Sequence, residues 1–523
     1  MSGDLIIGID AGTSMNKAVA FDLEGRQVAA AALRNRYDEP GGGVVEQDMA
    51  RTWDDTAQAL RRLAEQVPEL ASRAAALAVT GQGDGTWLID KEGAPVAPAW
   101  LWLDSRAADL VAVAEASGAR AEAFRFTGCG LNACNQSAQL AWLKRERPEV
   151  LEAAATAFHC KDWLYFQLTG ERVTDPSEGS FTFGDFRSRS YRDEVLAALD
   201  IAELKPLLPP MLDGSGTTHP LTAEAAAATG LPQGLPVSLG YLDVICTGLG
   251  AGLYDPDRAA GCSIVGSTSM HMRFFEQAET VALPAEPSGY TMPFPVPGSV
   301  ARMQSNMAAT LNIDWVVDLA REAAASLGKK VAPKDALSRL DARVLDAQPG
   351  AALYHPYIHE AGERGPFVEV AARAQFLGLS TKVGFLDLLR SVYEGLAFAA
   401  RDCYAAIDEL PAEIRMAGGA ARSTALKTIF ASALQVPIRE VNREEAGAAG
   451  AAMMAAVAIG AQPDMAQAFR TWVAPCLGER ILPDAGLAKR YQQLFPLYLQ
   501  ARLAMPPLWQ GLARARQQGA SEA

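Results

Sequence analysis

The chain contains no GxxxxGK[ST] loop and no complete GxGxxG, so the two commonest glycine-rich nucleotide cradles, the P-loop and the Rossmann turn, are absent from it. Histidine is scarce, at five residues, and no GxSxG elbow accompanies it, which leaves a hydrolytic triad without support. His355 and His359 stand four apart, but Pro356 argues against a helix interior that would present both to a metal. Cys129 and Cys134 lack a second ligand pair at zinc-finger spacing. The seven cysteines are odd in number and scattered (Cys129, Cys134, Cys160, Cys246, Cys262, Cys403, Cys476), which predicts reduced thiols in a cytosol and no disulfide framework. No apolar run reaches the roughly 20 residues that a bilayer requires. The best candidate, 446–461, is mostly Ala and Gly and predicts a close-packed internal helix. The opening MSGDLIIGIDAG carries an acidic residue where a secretory signal needs basic ones, so a cytoplasmic protein without a membrane partner is expected. Positive charge is also in deficit: 47 Lys and Arg against 61 Asp and Glu give a net charge of −14. That balance argues against nucleic acid as a partner, though an anionic small ligand needs only local donors.

What is present describes an ordinary globular protein, with 49% hydrophobic and 21% charged residues over a length that suits two large domains. LIIGID, KAVAFD and QVAAAALR, separated by AGTS and LEGR turns, predict three strands joined by hairpins. Residues 49–66 place Trp53, Ala57, Leu60 and Ala64 at helical spacing. AALAVTGQG predicts a buried strand entering a Gly-rich loop, and GTWLID with PVAPAWLWL a hairpin across DKEG. Residues 239–245 predict a further apolar strand. This alternation gives an α/β class. The boundary falls between Gly240 and Asp257, giving an N-terminal domain 1–250 and a C-terminal domain 251–523. Just beyond it, AGCSIVGSTSMHMRFF repeats the outline of IIGIDAGTSMNKAVAF, and the interval of roughly 250 residues suits a duplicated domain. Later, Leu389, Val392, Tyr393, Leu396 and Ala400 form an apolar helical face, and IRMAGGAARSTALKTIFASAL predicts strand, Gly-Gly turn and helix.

Several turns could carry chemistry. Asp10-Ala11-Gly12-Thr13-Ser14 offers closely spaced N–H groups and hydroxyls with Lys17 nearby, a concavity that suits phosphate oxygens; alone it is equally a plain hairpin turn. Gly266-Ser267-Thr268-Ser269 has the same chemistry and the same plain alternative. Gly418-Gly419, ahead of a helix beginning near Ser423, could let a nucleotide lie against backbone or serve only as a packing turn. Residues 445–451 either permit close helix packing or leave room for adenine. Asp243, in an apolar setting, is a general base for a substrate hydroxyl or a boundary ion pair. Asp84, in GQGDG, is an acceptor for sugar hydroxyls or part of a loop turn.

Taken together, IGIDAGTSMNKAVAFD, VTGQGDGTWLID, WLWLDSR, FHCKDWLYFQLTGE, TDPSEGS, GYLDVICTGLGAG, SIVGSTSM, PYIHEAGERGPF, RSVYEGLAFAARD, MAGGAARS and EEAGAAGAAMMAA resemble, in order, the FGGY family of carbohydrate kinases, over roughly residues 5–502. The resemblance implies an actin-like ATPase (ribonuclease H-like) fold, with two duplicated domains around a central cleft, and phosphoryl transfer from ATP, with Mg²⁺, to a hydroxyl of a small polyol or ketose. Carried over by position, it makes Asp243 the general base and brings Gln82, Asp84, Trp102 and Asp243 to the sugar. It assigns Asp10, Gly12, Thr13, Ser14 and Lys17 to the first phosphate loop, Gly266, Ser267 and Thr268 to the second, and Gly418, Gly419 and Ser423 to the adenosine. Asp10 would help hold Mg²⁺, through water.

Three departures bear on substrate. Gly83-Asp84 stands where glycerol kinases carry Arg-Glu, which removes a guanidinium, predicts a roomier pocket and makes glycerol a poor candidate. Gln139 stands where Lys is usual, and Lys17 where relatives often have Arg. GQGDGTWLID, FHCKDWLYFQLTGE, TDPSEGSFTFGDF and GYLDVICTGLGAGLYD point within the family to the four-carbon polyol erythritol as substrate. A ketopentose such as xylulose or ribulose stays open, as does a non-catalytic ATP- or sugar-sensing protein on the same fold. The Ala-rich helices after Ala446 leave a homodimer as an option.

Overall fold

The computed structural model describes residues 3–329 and 332–521. The chain forms two compact units. The first takes the chain up to Pro256, Phe274–Arg302 and Arg443–Cys476; the second takes Asp257–Arg273, Met303–Asn442 and the chain from Leu477 onward.

In the first unit, Leu5–Ala11, Met15–Asp22 and Gln27–Arg34 form the expected antiparallel hairpins, with Asp10 opposite Lys17. Leu5–Ala11 also runs parallel to Ala74–Gly81, which in turn lies parallel to Pro236–Leu239. The sheet order is therefore His219–Pro220, Pro236–Leu239, Ala74–Gly81, Leu5–Ala11, Met15–Asp22, Gln27–Arg34. Its inner strands are continuous apolar runs because both of their faces are covered. The helix Met49–Gln66 forms as its periodicity predicts: Asp48 caps it by accepting from the Arg51 N–H, and Ala57, Leu60 and Leu63 are buried on its inner face.

The sheet whose central strands Ala260–Val265, Glu413–Ala417 and Ile438–Val441 lie in the second unit runs Val300–Asn306, Ser269–Phe275, Ala260–Val265, Glu413–Ala417, Ile438–Val441 through its centre. Ala260–Val265 is antiparallel to Ser269–Phe275 and parallel to Glu413–Ala417. Each unit thus sets its first strand inside the sheet, with the antiparallel strand that follows it on one side and a parallel strand from later in the chain on the other. This is the duplication suggested by the paired strand–turn–strand motifs. The helix Phe385–Ile407 buries Leu389, Val392, Tyr393, Leu396 and Ala400 together, and Thr424–Leu434 follows the Gly-Gly turn.

Two local expectations are corrected. The strand expected over 239–245 stops at Leu239, and Asp243 opens the helix Asp243–Gly250. The ladder ends where the Gly240 N–H donates to Val79 O, and the Leu242 N–H is taken by Ser177 Oγ at 3.0 Å, so the chain turns into a helix. The GTWLID segment does touch PVAPAW through bridges, but its ladder partner is Thr156–Phe158. Among the described residues, no helix is long and apolar enough to cross a membrane.

The alternative left open for residues 445–451 falls to close packing. They begin the buried helix Ala446–Ala458, whose Gly450 backbone lies so near Cys246 O that a Cβ there would overlap it, while Gly8 abuts Ala448 O in the same way. The substitution Gly450→Ala therefore lowers stability by about 1–3 kcal/mol through overpacking. Gly216→Ala, at a site with open space around it, stays within about 0.5 kcal/mol of wild type. Urea unfolding of the two variants checks the contrast.

Candidate functional site

In the first unit, the ends of the parallel strands bring together residues that lie far apart in sequence. Gln82 follows Ala74–Gly81 and is tied to the neighbouring strand by its N–H, which donates to Ala11 O at 2.9 Å. Its side chain accepts from Thr13 Oγ1 at 3.1 Å and donates to Gln47 Oε1 at 3.1 Å. Thr13 Oγ1 in turn accepts from Trp102 Nε1 at 2.7 Å. Thr13, Gln82 and Trp102 are therefore one hydrogen-bonded chain joining the first turn to the Gly-rich loop. Gly12 closes that turn by donating to Met15 O at 3.0 Å and accepting from Asn35 Nδ2 at 3.1 Å, and Ser14 O accepts from the Asn35 N–H at 2.9 Å. Lys17 pairs with Glu445 at 2.7 Å.

Three carboxylates face this region. Asp84 sits at φ +58°, a left-handed conformation that Asp tolerates, and accepts from Asn135 Nδ2 at 2.8 Å. Asp10 is raised to about 6 by burial and by Glu445, against the opposing pull of Lys17. Asp243 is raised to about 7, first by burial and then by the charges of Asp10 and Asp84, against its Val244 backbone hydrogen bond and Lys161. The backbone comes close to this region as well: a Cβ on Gly447 would lie 2.5 Å from Asp10 Oδ2. A carboxyl poised near neutrality can accept a proton from a hydroxyl far better than one with an ordinary pKa.

The second unit gathers the other expected residues. Gly266, Ser267 and Thr268 form the tight turn between Ala260–Val265 and Ser269–Phe275, closed by the Gly266 N–H donating to Thr268 O at 2.9 Å. Ser267 and Thr268 are exposed. Gly418, at φ +91°, leaves no room for a Cβ because Val265 O would be 2.5 Å from it, so the Gly-Gly turn is packed against the root of this turn. Gly419 has open space in front of it. The Ser423 hydroxyl caps Thr424–Leu434 by accepting from the Leu426 N–H at 3.0 Å and donates to Asp341 Oδ1 at 2.6 Å.

The roomier pocket predicted from Gly83 is not found at Gly83 itself. The space a side chain would take there is filled by Leu242, and Glu178 Oε1 lies 2.9 Å from the position of a Cβ. Gln139 is a buried bridge that accepts from Thr86 Oγ1 at 2.7 Å and donates to Leu101 O at 3.2 Å.

Residue reasoning missed the charged groups behind the site. Lys161 is fully buried and pairs with Asp162 and Asp175 at 2.7 Å each. Although burial opposes its charge, these carboxylates and Glu178 hold it well above the ordinary lysine value. Burial would raise Asp162, yet Lys161 and His159 hold it well below the usual carboxylate range. The signal was present in KDW and TDPSE: charged residues inside otherwise buried segments demand partners.

Comparison with known proteins identifies the family and the fold. The model of the FGGY family of carbohydrate kinases, N-terminal domain, matches residues 5–250, and that of the C-terminal domain residues 261–459. The erythritol kinase of Brucella abortus (strain 2308) is 54% identical over 98% of this chain and 99% of its own length. The crystal structure of xylulose kinase from Rhodospirillum rubrum superposes with a TM-score of 0.86 at 29% identity, covering 97% of this chain and 100% of that one. Gluconate kinase from Lactobacillus acidophilus gives 0.87 at 22% identity, covering 97% and 99%. The actin-like ATPase fold of two duplicated domains is thus the fold of the chain.

The hydrogen-bonded chain through Thr13 yields a test. Thr13→Val removes the partner of Gln82 Oε1 and Trp102 Nε1 together and costs about 1–3 kcal/mol in denaturant unfolding. Thr13→Ser, which keeps the hydroxyl, restores most of it.

Proposed function

Because the chain belongs to the FGGY family of carbohydrate kinases, we propose that it transfers the γ-phosphoryl group of ATP to a hydroxyl of erythritol, with Asp243 as general base. Asp243 carries the chemical part of this reading: its carboxyl is desolvated, raised to about 7, and set beside Asp10 and Asp84. The substrate rests on the 54% identity, end to end, to an erythritol kinase, against 29% to the xylulose kinase of known structure.

In the proposed reaction the acceptor hydroxyl is held by Gln82, Asp84 and Trp102 and gives its proton to Asp243. As that proton leaves, the oxygen bonds to the γ-phosphorus, the bond to the β-phosphate oxygen breaks, and its electron pair departs with ADP. Phosphoryl transfer asks little covalent chemistry of the protein, so positioning and charge neutralisation dominate. Asp10, Gly12, Thr13, Ser14 and Lys17 serve one phosphate turn and Gly266, Ser267 and Thr268 the other. Gly418 and Gly419 lie along the adenosine, with Ser423 beyond them. Mg²⁺, bound with the nucleotide, supplies neutralisation of phosphate charge. Asp10 fits a role in holding it through water, since its buried carboxyl is destabilised by Glu445 and gains from a nearby cation. Among the described residues there is no cluster of three His, Cys, Asp or Glu, which fits an ion carried chiefly by the nucleotide.

Only ionised Asp243 accepts the proton, so kcat/KM for the polyol rises with pH through about 7 and then levels. Asp243→Asn lowers kcat by roughly 10²- to 10⁴-fold, abolishes that rise, and leaves ATP binding by calorimetry unchanged. Near-full turnover by a well-folded Asp243→Asn protein would refute the base assignment.

A further inference from the structure

Behind the Gly83–Asp84 turn lies a carboxyl that the reaction above does not use. Glu178, in the helix Pro176–Phe183, is 0% exposed, and neither of its oxygens has a hydrogen-bond partner. His159 Nε2 is likewise without a partner and lies 3.5 Å from Glu178 Oε2. The other nitrogen of that ring is committed: Nδ1 is 3.2 Å from Asp162 Oδ2, on a carboxylate that Lys161 helps hold ionised. The ring proton therefore belongs on Nδ1, and Nε2 presents a lone pair to Glu178.

An ionised Glu178 would face that lone pair with no donor, out of water. It would also stand among the carboxylates of Asp84, Asp162 and Asp175, with the thiol of Cys129 nearby. The cation that acts most strongly on Glu178 is Lys161, and it is already paired with Asp162 and Asp175. A protonated carboxyl removes the repulsion and donates its O–H from Oε2 toward Nε2, which gives those two of the three orphan atoms a partner in one bond. Burial and the neighbouring carboxylates push the Glu178 pKa well up, in the same direction.

We propose that Glu178 works as a neutral carboxylic acid bonded to His159, and that in this form it is the positioning residue for the acceptor substrate. It abuts Gly83 with Oε1, beside the Leu242 side chain that shares the same space, so it touches the two segments that carry Asp84 and Asp243. Its removal would let both segments shift, and its ionisation would set a third buried charge beside two carboxylates meant for the substrate. The inference rests on reading Asp84 and Asp243 as facing the substrate.

Three variants test it: Glu178→Gln, which keeps the shape, the neutrality and an N–H donor; Glu178→Leu, which keeps only bulk; and Glu178→Asp, which retracts the group. With saturating Mg·ATP, Glu178→Gln is expected to keep kcat and the polyol KM within about threefold of wild type. Glu178→Leu and Glu178→Asp raise the polyol KM by about tenfold or more, the scale of one lost buried hydrogen bond, with KM for ATP unchanged. If Glu178→Gln were as impaired as Glu178→Leu, or if KM for ATP rose in step, the proposal would be overturned. A second readout does not depend on the substrate assignment. The infrared difference between wild type and Glu178→Gln at neutral pH should contain the C=O stretch of a protonated carboxyl, and loss of carboxylate bands in its place would refute the neutral form. Should the wild type prefer another acceptor, the erythritol reading fails, while the KM comparison is made on that acceptor and still decides the role of Glu178.

Discussion

The site of the first unit depends on how closely the helix Ala446–Ala458 approaches the strand Leu5–Ala11 and the helix Asp243–Gly250. At Gly8 and Gly450 the backbones touch with no side chain between them, and Gly447 lies against the Asp10 carboxyl. That approach takes Asp10 and Asp243 out of water while leaving them near enough to repel each other. Like charges in such a place are costly to fold around, and the cost appears as raised carboxyl pKa values. The small-residue run is therefore part of how the protein holds two buried carboxyls with raised pKa values side by side.

A single buried lysine organises the next shell of charge. Lys161 lies 2.7 Å from both Asp162 and Asp175, and Asp162 fixes the ring of His159, which leaves Glu178 facing an acceptor. One acidic chain thus holds carboxyls in different states within the same unit: Asp162 below its ordinary range, Asp10 and Asp243 poised, Glu178 well above. Pushing the pKa values of neighbouring acids apart by environment is a general route to separate chemical roles from one residue type.

Much of the fold was legible in the sequence because hairpin turns and apolar periodicity are local signals. The three opening strands, the helix Met49–Gln66 and the strand–turn–helix around Gly418-Gly419 all follow from residues within a few positions of one another. Asp243 was singled out as a carboxylate in an apolar setting, but its placement on a helix was not legible. What ends the strand at Leu239 is a hydrogen bond from the Leu242 N–H to Ser177, far away in sequence. The same holds at Gly83: loss of a side chain suggested space, and only the fold brings Leu242 and Glu178 into it. The linking of Thr13, Gln82 and Trp102 through one hydroxyl is also a tertiary fact, although each residue was individually a candidate.

The central claim, a kinase for a small polyol, is tested most directly by coupled ADP release with Mg·ATP against erythritol, glycerol, xylitol, and the D and L forms of xylulose and ribulose. The account predicts the highest kcat/KM for erythritol, with glycerol and the ketopentoses well below it. A higher kcat/KM for a ketopentose would contradict the substrate, and ATP binding with no phosphorylation of any of these acceptors would contradict the kinase reading for this class of substrate.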